Sequence, residues 1–133
     1  MIEVTAAVIR RNGHFLICRR PEGKSCAGLW EFPGGKVETG ETGEDCIRRE
    51  CMEELELRLT VEQELTDIVK AYPEKTVHLH FFLCRISDNE EPVLKEHSAC
   101  AWITPDKVPE YTFCPADKEM LESKAWAEFI PTL

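Results

Sequence analysis

The chain has no apolar run long enough to cross a membrane as a helix, and its first residues lack the pattern of a secretory signal. It has no Cys-x-x-Cys pair, and its seven cysteines are odd in number. Both features argue against a disulfide framework or a zinc ribbon and for reduced thiols in a cytoplasmic protein. Basic residues are scarce: 16 Lys and Arg face 25 Asp and Glu, for a formal net charge of -9. Such a field opposes binding to a nucleic-acid polymer or an anionic membrane surface. Internal repeats, linkers and low-complexity segments are also missing. What is present is ordinary globular composition, 43% hydrophobic and 31% charged over 133 residues, enough for one domain, residues 1–133, with its own core.

Alternation of apolar and partly polar residues predicts a first strand over 1–10, and Asn12-Gly13 predicts a hairpin turn into a second strand over 14–20. A loop over 21–28 leads to Leu29-Trp30-Glu31-Phe32-Pro33, an extended piece entering Gly34-Gly35. Residues 60–72 suggest an irregular strand, and Pro73-Glu74-Lys75 a turn. The clearest strand is 76–87, with Val77, Leu79, Phe81 and Leu83 on one face and His78, His80, Phe82 and Cys84 on the other. Two histidines two apart can ligate a transition metal, but such residues more often line a pocket or pack under a loop. An acidic loop over 88–97 precedes a strand over 99–103 that carries Trp102. Thr104-Pro105 caps a short helix or turn, and Pro115 or Ala116 opens a C-terminal helix that can pack Met120, Leu121 and Trp126 on the sheet.

Composition changes most sharply over Gly34 to Leu57, GGKVETGETGEDCIRRECMEELEL. Thr42 followed by Asp45 is a capping-box pattern that starts a helix near Thr42. At roughly 100° per residue, Ile47, Cys51 and Leu55 share a stripe that faces a core, with Glu50, Glu53 and Glu54 on the adjoining arc. Carboxylates at i, i+3 and i+4 repel by a few tenths of a kcal/mol per pair on an exposed helix, and more when desolvated. A bound cation removes that repulsion. All-oxygen ligation suits a hard ion, Mg²⁺ with Mn²⁺ as substitute, which also accepts phosphate oxygens. A polyphosphate would otherwise be repelled by so acidic a chain, so the acidity and the metal site are one requirement. Taken alone, a run of acids is most often a solvated helix face.

Spacing decides between these. Gly35, Glu41, Arg49-Glu50 and Glu53-Glu54 match G-x5-E-x7-R-E-U-x-E-E-x-G-U, and the chain resembles the Nudix hydrolases, specifically the MutT-like branch, whose G-L-W-E-F-P-G-G segment it also carries. Two positions depart from the pattern. Cys51 fills an aliphatic slot harmlessly, and Glu56 replaces a glycine that would end the helix in a left-handed conformation, so the helix end should be shifted or strained.

The resemblance implies an α+β fold, an α/β/α sandwich with a mixed sheet between the acidic helix and a C-terminal helix. It implies metal ligands at the Gly34 carbonyl, Glu50, Glu53, Glu54 and Glu96, the last a loop glutamate six residues before Trp102. Glu50 or Glu96 would act as base, and Arg49 would hold Glu41 and orient the helix. The implied substrate is a nucleoside triphosphate cleaved to monophosphate and pyrophosphate in nucleotide-pool cleansing. Substrate contact is expected from Asp117, Arg20, Phe32, Lys36 and His80. An ionised Asp117, in Pro115-Ala116-Asp117, can only accept hydrogen bonds and so favours a base edge offering donors, such as the cytosine amino group or guanine N-H groups. With V-H-L-H and E-H-S-A upstream, the chain is similar to members acting on CTP, dCTP and 5-methyl-dCTP, with 8-oxo-dGTP close behind. The alternatives are a non-catalytic Nudix-fold nucleotide sensor and a hydrolase of another nucleoside diphosphate derivative. Such a domain would act as a monomer or a homodimer.

Overall fold

The computed structural model describes residues 1–133. Its first two strands, β1 (Ile2–Arg11) and β2 (His14–Arg19), are joined by the expected hairpin. Asn12 at φ 52 and Gly13 at φ 77 both take the positive values that a two-residue turn between twisted strands requires. Beyond that turn β1 and β2 diverge, and two short strands fill the split: β3 (Trp30–Glu31) on β2 and β4 (Gly34–Lys36) on β1. The long strands β5 (Thr60–Ala71) and β6 (Thr76–Arg85) form an antiparallel pair, while β6 lies parallel to β1. Register shifts between Val61 and Gln63 and between Glu64 and Thr66 account for the irregular pattern of β5. The last strand, β7 (Ala99–Ile103), pairs with the outer side of β2, completing a mixed seven-stranded sheet.

Strand alternation sends residues to two cores. Ala6, Val8, Phe15, Ile17, Phe81 and Leu83 face one side, where Ala116, Met120, Trp126 and Phe129 cover them. Ala7, Ile9, Leu16, Cys18, Phe82 and Cys84 face the other, against Ile47, Cys51 and Leu55 of α1 (Gly43–Leu55). This is the expected α+β sandwich. Full burial of each large aliphatic side chain contributes about 1.5–3 kcal/mol, so the helix stripe and the strand period together hold α1 in place.

The C-terminal helix differs from expectation. It is two helices, α2 (Pro115–Leu121) and α3 (Lys124–Phe129). Ser123 is extended at φ -81 and ψ 159, accepts from the Trp126 amide at 3.2 Å and donates to the Met120 carbonyl at 2.6 Å. A hydroxyl that can cap a new helix competes with continuing the old one. No helix is long and apolar enough to cross a membrane.

Candidate active site

The Thr42 hydroxyl accepts from the Asp45 amide at 3.1 Å, which starts α1 where the capping pattern predicts. At its far end Glu56 occupies the left-handed region, φ 55 and ψ 34, in the place of the missing glycine. The helix end is therefore strained and not shifted, and a 2.6 Å ion pair between Glu56 and Lys95 accompanies it.

Between these ends the helix lies against β4 with no room to spare. A Cβ on Gly34 would stand 2.0 Å from the Thr5 carbonyl oxygen, and one on Gly35 would stand 2.5 Å from the carboxyl carbon of Glu50. Gly34 lets β4 pair with β1; Gly35 leaves the space that the Glu50 carboxylate occupies. Arg49 fixes the same region from the other side. Its guanidinium donates to both Glu41 oxygens, at 2.6 and 3.0 Å, to Glu50 at 2.9 Å, to Glu53 at 3.0 Å and to the Lys36 carbonyl at 3.1 Å. Charge-assisted bonding of this kind holds the Glu41 carboxyl down at about 2. Arg49 thus links Glu41, which precedes α1, to Glu50 and Glu53 on it.

Glu54 is only 4% exposed. Burial raises its pKa strongly, and the neighbouring Glu50, then Glu96 and Glu31, push it the same way. The acidic loop reaches it because the end of α1 offers free carbonyls: Lys95 donates to the Glu54 carbonyl at 3.1 Å and Val93 to that of Leu55 at 2.9 Å. Docking brings Glu96 within electrostatic reach of Glu54 and places His97 at 3.8 Å from it. His97 Nε2 also meets Glu31 at 2.9 Å, and Glu31 accepts from Arg20 at 3.0 Å, while the buried His97 Nδ1 has no partner. Glu31 and His97 were not singled out from the sequence. Their signals were position: Glu31 lies inside the W-E-F-P segment, and His97 follows Glu96.

Of the expected substrate-contacting residues, Asp117, Phe32 and Arg20 come together, while Lys36 and His80 lie apart from them. Asp117 is buried, and its Oδ1 accepts from the Phe32 amide at 3.0 Å. Burial raises its carboxyl to about 8, the charge of Glu31 adding to this while the Phe32 amide and Arg20 oppose it. At neutral pH it is mainly protonated and can donate as well as accept, which corrects the expectation of an acceptor only. Phe32 meets Asp117 through its amide; its ring is part of the aromatic core with Phe15, Phe81, Phe113 and Trp126. Lys36 is exposed and contributes its carbonyl to Arg49. His80 lies with Glu3 and Glu64, sharing no hydrogen bond with the acids of α1. The surface hollow lined by Met52, Glu56, Arg58 and Thr60 contains none of Glu50, Glu53 and Glu54.

The NUDIX domain family matches residues 1–124. This chain belongs to the Nudix family. It is 37% identical over 124 residues to the CTP pyrophosphohydrolase of Escherichia coli, which covers 92% of this chain and 90% of that one. It is 32% identical over 126 residues to the 8-oxo-dGTP diphosphatase of Haemophilus influenzae, covering 91% and 89% of the two chains. Among solved structures, the E. coli ORF135 protein matches at a TM-score of 0.82 with 36% identity, covering 97% of this chain and 90% of that one. A MutT protein from Methanosarcina mazei matches at 0.83 with 27% identity, over 96% and 94%. The chain is therefore a Nudix hydrolase, close to pyrophosphohydrolases and diphosphatases of nucleotides. Nudix hydrolases generally use a divalent metal and act on small nucleotides. The donor set fits such an ion: a buried carboxyl faces a second carboxylate, the charges around them are mostly acidic, and Gly35 lets the Glu50 carboxylate lie close against the backbone.

Proposed function

We infer that this Nudix hydrolase cleaves a nucleoside triphosphate to the monophosphate and pyrophosphate, with cytosine nucleotides (CTP, dCTP, 5-methyl-dCTP) as first-choice substrates and 8-oxo-dGTP next. The observation that carries the reading is the buried Glu54 carboxyl set against Glu50 beside Gly35, because burial and the neighbouring acids oppose its ionisation and a bound cation would relieve both. The named substrates of the relatives support the nucleotide class.

Gly34 through its carbonyl, Glu50, Glu53, Glu54 and Glu96 would hold Mg²⁺, with Mn²⁺ as substitute. When bound, the ion supplies Lewis-acid polarisation of phosphoryl oxygens and a more acidic water. Glu50 or Glu96 accepts the proton of the attacking water, whose oxygen bonds to the second phosphorus as the bridge to the first breaks. The monophosphate leaves and pyrophosphate keeps the new oxygen. Arg49 sets the orientation of Glu50 and Glu53, and His97, itself held by Glu31, stands beside Glu54.

The base is met by Asp117, with Arg20 and Glu31 nearby. One Asp117 oxygen is held by the Phe32 amide, leaving the other to face the base. A carboxyl whose burial favours the protonated form can donate as well as accept, which suits the ring nitrogen and amino group of cytosine. The test is a panel of CTP, dCTP, 5-methyl-dCTP, 8-oxo-dGTP and dGTP with Mg²⁺, following pyrophosphate release. Faster turnover of the cytosine members supports the reading, and a preference for a sugar-linked diphosphate or capped RNA overturns it.

A further inference from the structure

Where β1, β5 and β6 meet, on the sheet face that also carries Phe82, five ionisable side chains form a network apart from the acids of α1. Parallel pairing of β1 with β6 sets Glu3 opposite His78 and Thr5 opposite His80. His78 Nδ1 and His80 Nε2 converge on the one Glu3 carboxylate, at 3.1 and 2.8 Å. One ligand atom from each of the three residues lies within 4.8 Å of the other two. Around a tetrahedral ion with bonds of about 2.0–2.1 Å, ligand atoms stand roughly 3.3 Å apart. Closing this group on an ion therefore needs only small side-chain movements.

An independent feature is the second ring nitrogen of each histidine. His78 Nε2 meets Asp67 at 2.6 Å and His80 Nδ1 meets Glu64 at 3.0 Å, both from the neighbouring strand β5. A metal-bound imidazole characteristically donates its other N–H to a carboxylate, which sets the tautomer and makes the ligating nitrogen more basic. Here both imidazoles carry that support, from paired strands and not from loops. The side chains of His78 and His80 remain about one-fifth exposed, 22% and 21%, so an ion and its remaining water ligands have a path in.

We propose that Glu3, His78 and His80 form a second metal site on this protein, selective for a borderline divalent cation such as Zn²⁺ and distinct from the site on α1. Two imidazole nitrogens with one carboxylate suit Zn²⁺, Co²⁺ or Ni²⁺, whereas Mg²⁺ prefers oxygen ligands throughout. The bound ion ties β1 to β6. Since the Glu3 carbonyl also accepts from Val37 at 3.0 Å, just after β4, it stiffens the strand on which the Gly34-Gly35 segment rests.

The test is Zn²⁺ titration of the chelator-treated full chain by calorimetry at mildly alkaline pH, with Co²⁺ absorption as a coordination probe. The parent is expected to bind one Zn²⁺ here. Asp67→Asn and Glu64→Gln should each weaken it about 10–100-fold, and His78→Gln with His80→Gln should abolish it. A Glu53→Gln/Glu54→Gln variant should retain it, which separates this site from the one on α1. Histidine ring resonances of the unmodified protein guard against a misfolded variant: of the four histidines, those of His78 and His80 should shift on adding Zn²⁺. Zn²⁺ affinity unchanged without the two histidines, or lost in the Glu53/Glu54 variant, or ring resonances of His78 and His80 that do not respond, would overturn the proposal.

Discussion

The acids of α1 and the cluster between β1, β5 and β6 crowd titratable groups together with opposite electrostatic results. At α1, Glu54 is buried against Glu50 with Glu31 and Glu96 adding negative charge, and the one strong cation, Arg49, is already shared among Glu41, Glu50 and Glu53. In the strand cluster all four ring nitrogens of His78 and His80 meet a carboxylate. The first cluster crowds acids in a poorly hydrated place; in the second each imidazole nitrogen has a carboxylate partner. An excess of buried oxygen donors calls for a hard ion and a phosphate chain. A mixed nitrogen and oxygen set suits a softer one.

Replacing one member of the unbalanced cluster tests this contrast most strongly. Glu54→Gln should reduce Mg²⁺-dependent turnover roughly 10²–10³-fold, the equivalent of several kcal/mol at the transition state. The metal-free variant should melt close to the parent, because burial already keeps the Glu54 carboxyl neutral without an ion, and Mg²⁺ should no longer raise its melting temperature. Retained turnover, or a large drop in metal-free stability, would break the comparison by making Glu54 structural.

Gly35→Ala probes the space beside Glu50. The added methyl group has nowhere to go without displacing the carboxylate, so turnover should fall by roughly tenfold or more and stability by about 1–3 kcal/mol. Denaturant melts together with kinetics would show whether activity falls further than folding does. Loss of stability alone would mean that the gap serves packing only.

Asp117 is the other buried acid, and it sharpens the comparison because its partner is a backbone amide. Its pKa rises on folding from 3.8 to about 8, so the folded state holds a proton that the unfolded chain gives up. Stability from this group is complete below the lower value and is lost as pH rises through the interval. Asp117→Asn should flatten that decline and melt higher than the parent at alkaline pH, as thermal melts across the interval would show. It should also alter the order of preference among the nucleotide bases. The smallest effect is expected at the strained helix end, where Glu56→Gly should stabilise by about 0.5–1 kcal/mol, less whatever the Lys95 ion pair contributes. A denaturant midpoint that stays put or falls would show that the ion pair outweighs the strain.

Local rules made much of this protein legible from its residues. Asn12-Gly13 forces a tight hairpin, Thr42 caps the helix, and the stripe of Ile47, Cys51 and Leu55 buries one face, because each depends on neighbours a few residues away. The spacing from Gly35 to Glu54 carried the family for the same reason: one turn and one helix place those groups. Long-range docking decided the rest. Glu31 and His97 meet although 66 positions apart, because the loop after β6 hydrogen-bonds to the end of α1. The parallel register of β1 on β6, which no local pattern specifies, brings Glu3 to the two histidines and gathers them away from the acids of α1. Burial lifts the Asp117 carboxyl against the pull of the Phe32 amide, and that burial depends on α2 closing on the sheet. Sequence by itself determined most of the elements, the break between α2 and α3 excepted, and the kind of chemistry they carry. Only the tertiary structure set which charges are desolvated and which are paired, because desolvation is a property of what packs around a group and not of the group alone.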